Sequence, residues 1–275
     1  MAMRRDKITG TGKNEPDGIL FGALSLLQPV LGAGPRVNVD TILLAHYARL
    51  RDGARAVELG CAHGAVSLII ARRLKDRREA SGRGAAPFWP IDAFDINPSL
   101  IGLARENAAL NGLSGEVNFF TADLRECRDN FEAGSYDAVV MNPPYDESDK
   151  SRPSPVGAMA SALHGASCGL ADVVGAARYL LKNGGKFFLV MRAKRTAELF
   201  SLLNQSNVRP KRLRVVHPRP GRAASVVLVE AVRASGDGLV IDPPLFILGS
   251  DGKYTPDLLE AYRLGETADC GGTVQ

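Results

Sequence analysis

A short apolar segment that ends in two consecutive prolines constrains the fold of this chain more than any other feature. Residues 136–141, Tyr-Asp-Ala-Val-Val-Met, have the apolar, β-branched centre of a strand buried in a parallel sheet. Pro143 and Pro144 follow shortly after, and because each fixes φ and lacks a backbone N–H, the strand cannot continue through them. The sequence therefore predicts a buried strand whose carboxyl end carries Asn142, the two prolines and Tyr145.

The groups at this strand end suit a flat ligand that carries an amino group. The Asn142 carboxamide and the Pro143 carbonyl are hydrogen-bond acceptors, and the ring of Tyr145 is a stacking surface. An ordinary strand closed by a proline turn is the alternative explanation of the same tetrapeptide.

A strand, a glycine turn and a helix occur earlier in the chain, at residues 55–59, 60–64 and 65–74. Gly60 and Gly64 bracket the turn, where glycine allows a sharp reversal and a close approach of backbone to a ligand. This order of elements opens many nucleotide-binding units. On its own it is a weak signal.

Acidic residues follow the next two predicted strands. Asp95 ends a second strand, and a carboxylate there can accept hydrogen bonds from both hydroxyls of a ribose. Asp123 comes just after a third strand at residues 117–121, where it could accept from an adenine amino group. Since the carboxyl ends of parallel strands share one sheet edge, we expect these residues to lie near Asn142.

The remaining pattern extends the sheet to seven strands with helices between them. Asp40 is predicted as the N-cap of the helix that follows it. Lys75 to Pro87 is charged and glycine-rich, which indicates a surface loop. Helices are predicted at residues 99–111, 157–181 (capped by 182–185) and 193–205, and further strands at 186–191, 212–216 and 225–231.

Together these motifs resemble class I S-adenosylmethionine-dependent methyltransferases, and the Asn-Pro-Pro-Tyr tetrapeptide narrows the match to enzymes that methylate amines conjugated to a π-system. Within that branch the chain most resembles the bacterial tRNA1(Val) adenine-37-N6-methyltransferase family. Residues 17–29 and 39–45 resemble the N-terminal segment of that family, and residues 216–218 and 251–256 resemble its C-terminal signature. The resemblance implies a Rossmann-like α/β fold with a seven-stranded, mostly parallel sheet, helices on both faces and an antiparallel last strand.

The resemblance also implies S-adenosyl-L-methionine as the cofactor and tRNA as the partner. Its catalytic residues would be Asn142, Pro143, Pro144 and Tyr145. Its cofactor-binding residues would be Glu58, Gly60, Cys61, Ala62, Gly64, Asp95, Ile96, Asp123, Leu124 and Asn142. The turn departs from the usual Gly-x-Gly-x-Gly at Ala62 and His63, and Glu58 replaces a common Asp.

Basic residues occur in two clusters that fit contacts to RNA phosphates. Residues 209–222 carry six Arg or Lys and no acid, although the net formal charge is only +4. A solvated face on an edge strand is the alternative explanation. The candidate RNA-binding residues are Arg4, Arg5, Lys150, Arg152, Arg219 and Arg222.

Composition is that of a globular enzyme. With 275 residues, 45% of them hydrophobic, one catalytic domain at 51–275 and an extension at 1–50 packed on it are expected. Dispersed Cys and His predict neither a metal site nor disulfides, and the lack of long apolar runs predicts a cytoplasmic protein without membrane contact.

Methylation of an adenine N6 in another RNA or in DNA remains open, and so do two functions of other kinds. One is methylation of the glutamine amide of a release factor, because a primary amide has the geometry of adenine N6. The other is an RNA-binding module with a decayed cofactor site, which Ala62 and His63 suggest.

Overall fold

A central sheet with helices packed on both faces organises the part of the chain that the computed structural model describes, which is residues 16–30, 34–81, 89–143 and 168–263. The strands are β1 (Asp17–Ile19), β2 (Leu24–Leu26), β3 (Ala56–Leu59), β4 (Ile91–Asp95), β5 (Val117–Thr121), β6 (Tyr136–Met141), β7 (Leu181–Arg192), β8 (Val208–His217), β9 (Val226–Arg233), β10 (Val240–Ile241) and β11 (Leu245–Phe246). The α-helices are α1 (Val39–Tyr47), α2 (Ala65–Ala80), α3 (Pro98–Leu110), α4 (Cys127–Asn130), α5 (Leu170–Leu180), α6 (Thr196–Gln205) and α7 (Pro256–Ala261).

The seven predicted strands pair in the order β5-β4-β3-β6-β7-β9-β8. All neighbouring pairs from β5 to β7 are parallel, whereas β9 runs antiparallel to both β7 and β8. The predicted Rossmann-like class I methyltransferase fold, with an antiparallel last strand, is therefore confirmed. The structure adds β10 and β11, which both pair with β8 in parallel. Strands of two residues are too short for a sequence pattern.

Strand alternation divides the core between the two faces of the sheet. In β6, Ala138 and Val140 join the cluster beneath α1 and α2, while Val139 and Met141 join the cluster beneath α5 and α6. Strand β3 is buried along its whole length, and β4 and β6 are buried except at Asp95 and Asp137, because helices cover both faces. This packing holds the carboxyl ends of the strands in position, and the candidate site lies at these ends.

Three local predictions were wrong. The predicted loop at Lys75 to Pro87 is helical as far as Ala80, because side chains such as Arg72 and Asp76 form ion pairs that stabilise the exposed last turns. Residues 182–185 belong to β7, and of the helix predicted at 157–181 only Leu170–Leu180 is helical, because Gly169 is the N-cap of α5; residues 157–167 lie outside the described residues. The N-cap of α1 is Asn38, whose side chain accepts from the Thr41 N–H, so Asp40 already lies within the helix.

The N-terminal residues pair with each other and with α3. Strands β1 and β2 form an antiparallel hairpin. The Asn111 side chain accepts from the Ser25 N–H at 2.9 Å and donates to its carbonyl at 2.7 Å, as a neighbouring strand would. These contacts attach the hairpin to the sheet through α3. The expected domain boundary at residue 50 stays a prediction.

Candidate functional site

The glycine turn and the Asn-Pro-Pro-Tyr segment leave the sheet side by side. Leu59 of β3 lies opposite Met141 of β6 in the parallel register, so Gly60 and Asn142 are the next residues of adjacent strands. The chain order of the strands reverses between β3 and β6, and open α/β sheets bind ligands at such a point. The expected proximity of the turn and Asn142 is thus a consequence of the topology.

The backbone of the turn takes left-handed conformations at several positions. Gly60 has φ 64° and Gly64 has φ 83°. A Cβ atom at Gly64 would lie 2.8 Å from Cζ of Phe119, so both the backbone angle and the packing of α2 on β5 require glycine there. Ala62 adopts φ 50° although it carries a side chain, a conformation that costs roughly 1–2 kcal/mol. The non-glycine residue therefore fits the turn geometry at a modest cost.

Asp95 joins the end of β4 to this turn. Its carboxylate accepts hydrogen bonds from the backbone N–H groups of Ala62 and Asn97, both at 2.9 Å. Asn97 in turn caps α3 by accepting from the Ser99 N–H at 2.9 Å. The half-buried carboxylate is held at the sheet edge beside the turn, and Ile96 next to it is exposed.

Glu58 is buried behind the turn and contacts the first turn of α2. Its carboxyl group accepts from the backbone N–H of Ser67 at 2.9 Å and also from the Ser67 hydroxyl. Burial raises the pKa of Glu58 to about 8, because the Ser67 hydrogen bonds offset only part of the loss of solvation. Since the N-cap residue Gly64 has no side chain, Glu58 caps α2 in its place.

Asp123 lies at the end of β5 and already has a charged partner. Arg125 donates from Nε to its Oδ2 at 2.9 Å, and this contact holds the pKa of Asp123 below its usual value. Leu124 begins the short 3-10 helix Leu124–Glu126, which Asp123 caps. A ligand that binds the Asp123 carboxylate would have to share it with Arg125.

Cys61 and His63 fill the interior of the turn. Burial raises the pKa of the Cys61 thiol well above its usual range, so this cysteine is not a nucleophile. The His63 side chain is only 3% exposed, and neither of its ring nitrogens has a hydrogen-bond partner in the described ranges. Burial, with a smaller effect of Arg36, lowers the pKa of His63 to about 4, so its ring is neutral at physiological pH.

Asn107 of α3 links the turn to the N-terminal segment, and sequence reasoning did not identify it. Its side-chain oxygen accepts from the Leu27 N–H at 2.7 Å, while its NH₂ group donates to the carbonyls of Leu27 and His63, both at 3.0 Å. The residue is completely buried. The only sequence signal was a second asparagine four residues later, at Asn111.

Two of the predicted catalytic residues are described. Asn142 is half-buried and Pro143 is buried at the end of β6. Pro144 and Tyr145 lie outside the described residues, and so do the candidate RNA-binding residues Arg4, Arg5, Lys150 and Arg152.

The basic cluster at 209–222 divides into two parts. Residues on β8 contact acidic residues and carbonyls of the following segment: Arg209 with Asp237, Lys211 with the carbonyl of Asp237, Arg212 with Asp242, and Arg214 with Asp257. Arg219 and Arg222 lie in the β8–β9 loop, are exposed, and have no ion pair with the described residues. Since β10 and β11 flank β8, this strand is not the sheet edge that the alternative explanation assumed.

The described part of the chain contains no group of three or more His, Cys, Asp or Glu side chains that could hold a metal ion. Among its helices, none has the length and apolar character that a bilayer crossing requires.

Comparison with known proteins supports the predicted resemblance. Residues 34–209 match the family model described as "Methyltransferase small domain". A tRNA1(Val) (adenine(37)-N6)-methyltransferase of Aeromonas salmonicida is 27% identical over 70% of this chain and 75% of its own length. The enzyme of that name from Dyadobacter fermentans is 25% identical, over 83% of this chain and 90% of its own. The resemblance inferred from sequence motifs is confirmed.

Solved structures share the fold. A predicted O-methyltransferase from Agrobacterium tumefaciens superposes with a TM-score of 0.62 at 21% identity, covering 83% of this chain and all 100% of its own. The [4+2]-cyclase SpnF superposes with a TM-score of 0.50 at 14% identity, covering 71% of this chain and 81% of its own. Since proteins with these different names share the architecture, the reaction has to be argued from the site.

Proposed function

Because this chain belongs to the methyltransferase small domain family, we propose that it transfers a methyl group from S-adenosyl-L-methionine to N6 of an adenine in the anticodon-loop region of a tRNA. The observation that carries the proposal is the pairing of Leu59 with Met141, because it sets the glycine turn, the proposed cofactor site, beside Asn142. The curated relatives carry the name of such an enzyme.

The turn side of the site fits the cofactor. A Cβ atom at Gly60 would meet only Met141 Cε, at 3.7 Å, so the backbone there is open to a ligand. The Asp95 carboxylate would accept from the ribose hydroxyls, and Ile96, Leu124 and Asp123 would surround the adenine. Glu58 and Cys61 are buried and would act by holding the turn and the start of α2 in position.

The Asn142 side of the site would hold the amino group. The lone pair of adenine N6 is delocalised into the ring, which makes the nitrogen a poor nucleophile. Asn142 Oδ1 and the Pro143 carbonyl would accept its two N–H bonds, favouring pyramidal geometry as the new C–N bond forms. Tyr145 would stack on the base and keep N6 in line for attack.

S-adenosyl-L-methionine supplies an electrophilic methyl group on a sulfonium. The sulfur keeps the electron pair of the broken C–S bond, and N6 loses one proton to solvent after the transfer. A base within a duplex cannot reach such a pocket, so the target adenine would lie in a loop and be flipped out. Such a substrate would also place the enzyme in the cytoplasm.

Arg219 and Arg222 support an RNA substrate. Their exposed guanidinium groups could contact phosphates, as could Arg4, Arg5, Lys150 and Arg152 elsewhere in the chain. Phosphate contacts would supply most of the affinity, and the Asn142 pocket would select the base.

Labelled S-adenosyl-L-methionine offered with total unmodified tRNA tests the proposal, with nucleoside analysis of the product. We expect label in N6-methyladenosine. Label only in the glutamine of a release factor would favour the amide substrate instead. No cofactor binding by calorimetry would support an RNA-binding module with a decayed site.

A further inference from the structure

The β8–β9 loop and the turn that follows β11 form one unit at the carboxyl edge of the sheet. The Leu248 N–H donates to the Pro218 carbonyl at 3.0 Å, and the Ile247 N–H donates to the His217 carbonyl at 2.9 Å. Nδ1 of His217 lies 2.8 Å from the carbonyl oxygen of Arg222 and so ties the two ends of the loop together. The two segments therefore present their exposed side chains in a fixed relation.

The turn after β11 is a tight hairpin. Leu248 and Tyr254 form an antiparallel bridge, and the Gly249 N–H donates to the Lys253 carbonyl at 2.8 Å. Gly252 has φ 75°, and the side chain of Asp251 accepts from the Lys253 N–H at 3.0 Å. The backbone that carries Lys253 and Tyr254 is thus held by hydrogen bonds on both sides of the turn.

Three aromatic rings from two parts of the chain lie in one group that begins at this hairpin. Tyr254 is 59% exposed and Phe21 is 71% exposed. Tyr262 is near both: its ring centroid is 6.2 Å from that of Phe21, and its pKa is raised by burial and, to a smaller degree, by nearby Tyr254. Phe21 has φ 56°, a conformation uncommon for a bulky residue. Grouped exposed apolar side chains often mark a surface that binds a partner.

The charge along the carboxyl edge favours a polyanion on this side. Asp95 and Asp123 lie at the ends of β4 and β5, whereas Arg219, Arg222 and Lys253 lie beyond β8 and outnumber the exposed Asp251 of the hairpin. Single-stranded nucleic acids bind to surfaces where basic side chains hold phosphates and aromatic rings stack on bases.

Building on the proposed function, we propose that Tyr254 stacks on an unpaired base of the RNA at a second contact, while Arg219, Arg222 and Lys253 bind neighbouring phosphates. We call these four residues the outer-edge surface. Arg219 and Arg222 follow β8, which is three strands from β6, and Lys253 and Tyr254 follow β11, which is four strands from β6. At about 4.8 Å per strand, the surface therefore lies about 14–19 Å from β6. It therefore binds a part of the RNA several nucleotides away from the methylated adenine.

The experiment compares binding of unmodified tRNA by wild type, Tyr254→Ala and Tyr254→Phe. Trp89→Ala is the matched control, because Trp89 is 55% exposed and precedes β4, which lies next to the terminal strand β5 on the other side of the sheet. We expect Tyr254→Ala to weaken tRNA binding about tenfold or more, the loss typical of one stacked base, and Tyr254→Phe and Trp89→Ala to bind like wild type. A five-nucleotide RNA that contains the target adenine should bind wild type and Tyr254→Ala equally.

Unchanged tRNA binding by Tyr254→Ala would overturn the proposal. An equal loss of tRNA affinity in Tyr254→Phe would mean that the hydroxyl forms a hydrogen bond and that the ring does not stack, which would also overturn the proposal. So would an equal loss of affinity for the short RNA in Tyr254→Ala. Thermal unfolding and cofactor titration of each variant exclude a folding defect. If wild type methylates no tRNA while the Tyr254 effect on tRNA binding persists, the proposed function fails and this second contact stands.

Discussion

The carboxylate of Asp95 accepts a hydrogen bond from the backbone N–H of Ala62 at 2.9 Å, which ties the end of β4 to the glycine turn after β3. The same carboxylate accepts from Asn97 at the start of α3. One side chain thus holds two segments that border the proposed cofactor site. Asp95 therefore has a structural task in addition to its proposed contact with the ribose.

Asp95→Ala should weaken S-adenosyl-L-methionine binding by about 1.5–3 kcal/mol, the range for a hydrogen bond to a charged group. The ribose would lose its acceptor, and the turn would lose the hydrogen bond of Ala62 while keeping that from the Cys61 N–H to the Phe94 carbonyl of β4. Calorimetric titration measures the effect, with Asp129→Ala on the exposed surface of α4 as control. Unchanged affinity would remove Asp95 from the cofactor site.

Asn142→Ala should lower the rate of N6-methyladenosine formation by about 10²-fold or more, as loss of one preorganised polar partner does. The affinity for tRNA should stay nearly the same, because phosphate contacts dominate it. Single-turnover methylation and a separate tRNA binding assay distinguish the two quantities.

The same assay includes Tyr145→Phe, which keeps the stacking ring and should remain near wild type, and Tyr145→Ala, which should be slow. Asn183→Ala, an exposed asparagine in β7, is the matched control. Normal methylation by Asn142→Ala would rule out the acceptor mechanism.

Replacing both Arg219 and Arg222 by Ala should weaken tRNA binding and reduce its dependence on salt. Each lost phosphate contact lowers the slope of log K against log salt by roughly 0.7–0.9. The double variant Arg51→Ala and Arg178→Ala changes the net charge equally at exposed positions outside the proposed surfaces. If the Arg219 and Arg222 variant has the same salt slope as wild type, that loop does not contact RNA phosphates. Cofactor affinity should not change in either double variant.

Glu58→Gln should change how the free energy of unfolding depends on pH. The carboxyl has a pKa of about 8 in the folded chain against 4.5 for the ordinary, solvated group, so between these values the folded chain binds more protons than the unfolded chain. The contribution of Glu58 is therefore fully present below pH 4.5 and is lost as pH rises through 8. Glutamine can still accept from Ser67 and does not titrate.

The stability of Glu58→Gln relative to wild type should accordingly rise between pH 5 and 8, by at most about 4 kcal/mol at 1.36 kcal/mol per pKa unit. Denaturant unfolding at several pH values measures this difference. Glu106→Gln, at an exposed position of α3, is the matched control. A constant difference across the pH range would show that Glu58 is ionised in the folded protein.

The strands of the central sheet could be predicted from the sequence because each depends on a local pattern. Strand β6, for example, is an apolar run that ends at two prolines. Helix α2 was underestimated because its charged last turns look like a loop until partners such as Asp52, which pairs with Arg77, are known. The same reason hid the role of the basic residues on β8, since the acids that pair with them lie many residues later.

The candidate site was predictable where it depends on strand ends and not where it depends on distant contacts. Gly60 and Asn142 follow from topology. The tie between Asp95 and Ala62, the capping of α2 by Glu58 and the position of Asn107 each join residues that no local pattern relates.

At Asn107, replacing the side-chain nitrogen by an oxygen would disrupt the surrounding hydrogen bonds. Its amide accepts from one backbone N–H and donates to two carbonyl oxygens, so every direction around it has a fixed polarity. Aspartate has the same shape but would turn an oxygen toward both carbonyls, and leucine would leave three buried backbone groups unpaired. Ageing offers a direct route to that exchange, because deamidation converts asparagine to aspartate without any change of gene. The rigid burial of Asn107 within a helix therefore protects the geometry of the glycine turn over the lifetime of the protein.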